Sequence, residues 1–259
     1  MKVFNNLYEY RELLKSNIKK EIRGKYKGST LGVLWSFINP LLQVVVYAIV
    51  FRYIMRFQIP NYTQFIICGI IPWTFFTNVI NQGTTTVRAN AGIIKKVYFP
   101  REILPISVAV SGLINFLISC IIVLIFCVPV VGLSWHLVFV PLIALIQSMF
   151  TLGLVFALSA INIYVKDVEY IVTFILNMLF YGTTILYDAS MFASAPAILM
   201  TLVKMNPLTV IIGEFRSVFL YHEVPALMPM LIVGLLSFAV LLIGYQIFRK
   251  LERGFAEEV

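Results

Sequence analysis

Charge is what this sequence has least of. Asp, Glu, Lys and Arg make up 12% of its 259 residues, against about 25% in an ordinary soluble domain. The apolar share is 60%, more than a soluble chain of this length can bury. Exposed apolar patches beyond a few hundred Å² drive association, so composition excludes a soluble domain. Histidine is nearly missing. His136 and His222 are far apart in sequence, between apolar runs. The three cysteines, Cys68, Cys120 and Cys127, lie inside apolar runs without metal-ligand spacing, which predicts small buried hydrophobes and no metal site. Catalytic signatures are absent too. There is no G-x-x-x-x-G-K-[ST] loop, G-x-S-x-G or H-E-x-x-H, and there are no clustered carboxylates. Gly24–Thr30 has glycines and a lysine in the wrong order for a nucleotide loop. Residues Met1–Gly28 lack the apolar core of a cleavable signal, so this segment is expected to be retained.

What is present is a series of long apolar runs. Six approach or exceed the roughly 20 helical residues that cross a bilayer: Leu31–Phe51, Thr63–Val87, Ile103–Val131, Leu137–Val165, Tyr170–Tyr187 and Ala226–Phe248. Continuous runs exclude the alternating strands of a barrel. The expected fold is therefore an all-α integral membrane protein with six transmembrane helices. The net charge of +8 does not point to nucleic acid, because the basic residues sit at the ends of these runs. Sixteen Lys and Arg fall on the side of the termini and four on the other: Arg52, Arg56, Lys204 and Arg216. That asymmetry places both ends in the cytoplasm.

Two segments do not span. Pro207–Tyr221 is short and carries Glu214 and Arg216. It reads as a helix with Asn206 as N-cap and Pro207 in its first turn. With Pro196–Met205 it forms an external re-entrant pair, within a segment of about 188–225. At the N-terminus, Leu7, Tyr10, Leu14, Ile18, Ile22 and Tyr26 share a face, with Glu12, Lys15, Lys19 and Arg23 on others. Residues 1–30 are thus an amphipathic interfacial helix. Residues 31–250 form the transmembrane domain and 251–259 a cytoplasmic tail.

Polar residues inside spans recur at helical spacing. Trp35, Asn39, Gln43 and Tyr47 mark one face of the first span. Ser107, Ser111, Asn115 and Ser119 mark one face of the third. Tyr170, Phe174, Asn177, Tyr181 and Thr184 mark one face of the fifth. Serine stripes serve as glue between helices. The first and fifth stripes mix amides with aromatic rings and suit the wall of a pathway. No charged residue lies deep in a span, which argues against an ion-coupled pump. Energy for transport has to come from another chain.

Residues 23–47, RGKYKGSTLGVLWSFINPLLQVVVY, resemble the permease subunit of bacterial ABC exporters of O-antigen, teichoic acid and capsule-type polysaccharides. Similar motifs follow in order: Gly69–Phe76, Lys95–Pro105, Asn162–Val168, Asn206-Pro207-Leu208 with Arg216, and Phe255-Ala256-Glu257. One departure is Gly182–Tyr187, which lacks the proline usual before Ile-Leu-Tyr. The resemblance implies a homodimeric channel in the bacterial cytoplasmic (inner) membrane. Two copies of a separate ATPase would carry ATP and Mg, with no cofactor on this chain. The cargo would be a glycan on a polyprenyl diphosphate lipid. Channel lining falls to the first and fifth spans, at Trp35, Asn39, Gln43, Tyr47, Phe174, Asn177 and Tyr181. Tyr98, Phe99, Arg101, Lys166, Asp167 and Glu169 are expected at the ATPase, where helix capping is the simpler role for Asp167. Arg88, Lys95 and Lys96 are expected where the diphosphate enters, and Asn206, Pro207 and Arg216 in the external element. Export of a small lipid, drug or antibiotic is the alternative. A membrane enzyme acting on lipid-linked sugar would need a catalytic acid beyond Asp167 and Glu169.

Overall fold

The computed structural model describes residues 2–24, 30–57, 59–188, 191 and 196–258. Helices α1 (Lys2–Glu9) and α2 (Arg11–Gly24) precede the bundle. The long helices are α3 (Trp35–Ile49, continued by a widened turn, Val50–Ile54), α4 (Tyr62–Ala89), α6 (Ile103–Val131), α7 (Val140–Tyr164) and α11 (Leu227–Leu251). Between them lie α5 (Ala91–Ile94), α8 (Val168–Tyr181), α9 (Ala197–Met205) and α10 (Pro207–Arg216), and α12 (Phe255–Glu258) ends the chain. No strand occurs among the described residues. The decoy loop residues 25–29 and parts of the external segment (189–190 and 192–195) lie outside the described residues, as do the side chains of Arg23, Ala256 and Glu257.

Five helices are long and apolar enough to cross a membrane, or six if the bent pair α9–α10 is one span. α4 is the most enclosed of the five and packs against α3, α6, α7, α8 and α10. Two carboxamide side chains fix α7 to it. Gln147 Nε2 donates to the Pro72 carbonyl at 2.8 Å and Asn162 Nδ2 to the Thr84 carbonyl at 3.2 Å. The α7–α11 seam is closer still. A Cβ at Gly153 would lie 2.6 Å from the Leu241 nitrogen, and one at Gly244 would run into the Gly153 carbonyl. Such backbone approach is how membrane helices gain dispersion contacts without a hydrophobic driving force between them.

The expected fifth span is shorter than its apolar run. α8 has 14 residues, a rise of about 21 Å, and ends at Tyr181 rather than Tyr187. The chain then turns through Gly182–Tyr187. Non-helical backbone at membrane depth must be satisfied by protein, and here it is. Gly182 O accepts from Asn206 Nδ2 (3.3 Å), Thr184 O from Arg216 Nη1 (2.6 Å), Ile185 O from Arg216 Nη2 (2.8 Å) and Leu186 O from the Tyr62 hydroxyl (2.7 Å). Arg216 Nε also donates to Phe65 O at 3.2 Å, with the guanidinium stacked 3.5 Å above the Phe65 ring. Arg216, counted above as an external charge, is therefore buried. Asn206 Oδ1 accepts from Leu208 N at 3.0 Å and so caps α10, and the chain bends by 68° at this point.

A second apolar cluster gathers one end of the bundle. Val87, Phe99, Phe156, Ile163, Phe248 and Phe255 pack there with Tyr10 and Leu13 of the N-terminal helices. Asn6 Nδ2 donates to Glu102 Oε1 at 3.1 Å, Lys20 Nζ to Asn90 Oδ1 at 3.1 Å, and Arg101 Nη1 to the Glu252 carbonyl at 2.5 Å. The two terminal segments therefore meet at the same end.

Candidate translocation cleft

α3 and α8 flank α4 and leave a cleft of about 510 Å³. From α3 it takes Trp35, Asn39, Gln43 and Tyr47, the whole stripe of the first span. The spacing of four brings these residues to one face because 3.6 residues make a turn. From α8 it takes Asn177 and Tyr181, with Thr173, Leu176 and Phe180. Phe174 is not among the lining residues; it is 63% exposed on the outer surface of α8.

The third wall went unnoticed in the sequence. Trp73, Thr74, Thr77, Asn78 and Asn81 of α4 face the cleft. A signal was available, since Thr74, Thr77, Asn78 and Asn81 recur every three or four residues with hydroxyls and amides. Rings cluster toward one end. Phe180 lies 5.8 Å from Tyr47, 5.6 Å from Trp73 and 5.3 Å from Tyr181. Toward the other end Thr173 Oγ1 meets Asn81 Oδ1 at 3.4 Å. Asn39, Gln43, Asn78 and Asn177 are exposed to the cleft, and their side chains bond to none of the described residues. Among the described residues no Asp, Glu, Lys or Arg lines it. The wall thus offers rings and unengaged amides, able to hold a polar, uncharged group by stacking and hydrogen bonding. None of the described residues group as His, Cys, Asp or Glu ligands for a metal.

The remaining expected site residues lie at the end with the termini. Tyr98 is 92% exposed at the tip of the 95–102 loop, whereas Phe99 is buried beneath it. Arg101 ties the loop to the tail through Glu252 and lies over the Phe255 ring at 5.6 Å. Lys166 and Asp167 are exposed. Asp167 occupies the N-cap position of α8 but its side chain makes no capping bond. Glu169 pairs with Arg88 at 3.7 Å, joining α8 to the end of α4. Lys95 and Lys96 border a separate hollow of about 200 Å³ with Val97, Tyr98 and Arg101, away from the cleft.

The apolar bundle, the bent helix pair α9–α10 and the polar cleft define a multi-pass membrane protein of the transport class. Residues 12–220 match the model of the ABC-2 type transporter family, and the chain belongs to that family. It is similar over its whole length to the O-antigen export system permease protein RfbA of Myxococcus xanthus, 33% identical over 265 aligned positions covering 100% of both chains. A protein of the same name from Klebsiella pneumoniae is 35% identical over 261 positions, 99% of this chain and 98% of that one. The polysialic acid transport protein KpsM of Escherichia coli is 29% identical over 76 positions, 29% of this chain and 30% of that one.

Proposed function

We propose that this chain is the channel-forming, non-catalytic subunit of an ATP-driven exporter that moves a lipid-linked polysaccharide across the bacterial cytoplasmic membrane. The observation that carries the proposal is the cleft wall, to which three helices contribute unengaged amides together with aromatic rings. Pyranose CH faces stack on rings while sugar hydroxyls bond to amides, and many weak contacts let a chain slide where one tight site would hold it. The similarity to O-antigen permeases supports the same cargo class.

The rest of the assembly follows from what this chain leaves open. α3 and α8 expose Leu42, Val45, Val46 and Ile49, and Ile171, Phe174, Ile175 and Met178. A second copy closing over these faces would complete the channel and place Phe174 at its seam. ATP and Mg would be held by two copies of a separate ATPase, docking at the exposed Tyr98, Lys166 and Asp167. Arg101 and Phe99 would transmit that contact to the tail and bundle. Both ends would be cytoplasmic, a reading supported by the basic asymmetry and by the meeting of the two terminal segments. It requires α8 with its following turn to serve as a short sixth crossing. Asn206, Pro207 and Arg216 would then stand at the outer side. Arg88 has a partner in Glu169 and Lys95 and Lys96 sit apart from the cleft, so the proposal does not route the diphosphate through these three.

The test is co-production with a candidate ATPase in a strain lacking its own surface-glycan permease. Restored surface glycan, and ATP hydrolysis stimulated by glycan-lipid in the purified complex, are expected. Stimulation by small lipids or drugs with no response to glycan-lipid would turn the assignment to the alternative exporter.

A further inference from the structure

The cleft does not end at Thr173 and Asn81. Asn78 and Asn81 also line an adjoining cavity of about 540 Å³, bounded by Gln82 of α4 and by Lys20, Glu21 and Gly24 of α2. This vestibule joins the amphipathic helix to the pathway. Asn78 further borders a small pocket of about 40 Å³ that again includes Glu21 and Gln82, so Asn78 stands where three spaces meet. Among the described residues Lys20 is the cation that lines the vestibule. Its ammonium donates to the neutral amide of Asn90 at 3.1 Å and has no carboxylate within ion-pair distance among the described residues. Glu21 is engaged by Gln82, whose Nε2 donates to its carboxylate.

We propose that this vestibule is the binding site for the phosphate-bearing head of the cargo lipid, with Lys20 as its cation and Glu21 as a resident anion that the head displaces from Gln82. The proposal rests on the reading of the chain as a lipid-linked glycan exporter. An ammonium bonded only to an amide has a charge still to be met, and a phosphate oxygen meets it with a charge-assisted bond. Gln82 holds one carboxylate, so a second anion at its amide has to compete with Glu21. The two neighbouring residues therefore act with opposite sign: removing the Lys20 charge weakens binding of the head, and removing the Glu21 charge strengthens it. Asn78 and Asn81 then pass the uncharged sugar from the vestibule into the cleft, where none of the described Asp, Glu, Lys or Arg residues lines the wall.

The experiment uses the assembled exporter in nanodiscs of neutral lipid, with farnesyl diphosphate as the probe and ATP hydrolysis as the readout. Lys20→Gln is expected to raise the half-maximal farnesyl diphosphate concentration about three- to fivefold, the size of one solvent-screened charge contact. Glu21→Gln is expected to lower it, Lys20→Arg to stay near wild type, and inorganic diphosphate to compete. Lys15→Gln removes a charge from the same helix, at a residue paired with Glu12, and is expected to leave the value unchanged. Equal shifts in Lys15→Gln and Lys20→Gln would overturn the site in favour of general surface charge. Equal stimulation by phosphatidylglycerol would assign the cavity to bulk anionic lipid instead. A wild-type complex that restores surface glycan in cells yet ignores farnesyl diphosphate would sink the vestibule while leaving the exporter reading in place.

Discussion

Two regions of this bundle use polar side chains in opposite ways. Around the Gly182–Tyr187 turn, Arg216, Asn206 and Tyr62 direct their donors at backbone carbonyls, and Arg216 alone reaches three, two in the turn and one on α4. In the cleft, Asn39, Gln43, Asn78 and Asn177 have their donors and acceptors unengaged. The first arrangement repairs a helix end inside a low-dielectric interior, where an orphaned carbonyl is costly. The second keeps hydrogen-bonding capacity in reserve for something that is not protein. A polar residue in a membrane helix is therefore read by where its hydrogen bonds go, and the lock that Arg216 forms on the turn and the cleft give different answers, although Tyr181 of the cleft and Gly182 of the turn are neighbours in the chain.

The sharpest way to break this comparison is at the lock. Arg216→Ala would leave two buried turn carbonyls, Thr184 O and Ile185 O, without donors, each costing about 1–3 kcal/mol, while Phe65 O keeps its bond within α4. It would also remove the cation stacked on Phe65. The expected outcome is a loss of at least about 2 kcal/mol, seen as collapse of the detergent-soluble yield and of the thermal midpoint. Arg216→Lys keeps the charge but not the planar fork and should recover only part of it. A normal yield for Arg216→Ala would mean that water or lipid satisfies the turn.

At the cleft the signature should invert. Tyr47 and Tyr181 flank Phe180 and Tyr181 is largely exposed. Each ring–sugar contact is on the order of 1 kcal/mol, so Tyr47→Ala or Tyr181→Ala alone should impair export mildly. The double variant should impair it severely with yield near wild type. Trp73 serves as the control. It is buried at 7% exposure, so Trp73→Ala should cost about 3–5 kcal/mol of stability in addition to export. Yield and export measured on the same preparations separate wall from packing. A Tyr47→Ala/Tyr181→Ala protein with unchanged export would remove the rings from the pathway.

What the sequence makes legible here follows the range of the forces involved. The long spans are visible because run length and bilayer thickness are local quantities, and the Asn206–Pro207 cap is visible because a cap bonds two residues ahead. The end of α8 is only faintly marked. Gly182, its C-cap, is the one local sign of where helix becomes turn; the boundary is held by Tyr62, Asn206 and Arg216, which arrive from elsewhere in the chain. The Gly153–Gly244 seam is hidden for the same reason. The face of the cleft on α3 stands out because its opposite side, with Phe37, Leu41, Val45 and Ala48, is apolar. The equivalent stripe on α4 does not, since that helix is enclosed on most sides and its apolar residues mask the period.

The smallest expected effect lies at the mouth of the cleft, at the Arg88–Glu169 pair. Its side chains are 41% and 27% exposed and 3.7 Å apart. A pair with that exposure is screened and contributes about 0–1 kcal/mol. Its value is positional, because it ties the start of α8 to the end of α4 one to two turns beyond the Thr173–Asn81 contact. Reversing either charge alone, as Arg88→Glu or Glu169→Arg, sets like charges against each other. Each single variant should lower glycan-lipid-stimulated ATP hydrolysis a few-fold with little change in yield. The exchange Arg88→Glu with Glu169→Arg restores the attraction and should return stimulation to within about twofold of wild type, a residual of at most about 0.4 kcal/mol on the scale where tenfold is 1.4. If the exchanged protein is as defective as the single variants, the charge itself matters at residue 88. Arg88 would then share with Lys20 the task of receiving the anionic head, and the mouth would belong to the same class of surface as the cleft rather than to the lock.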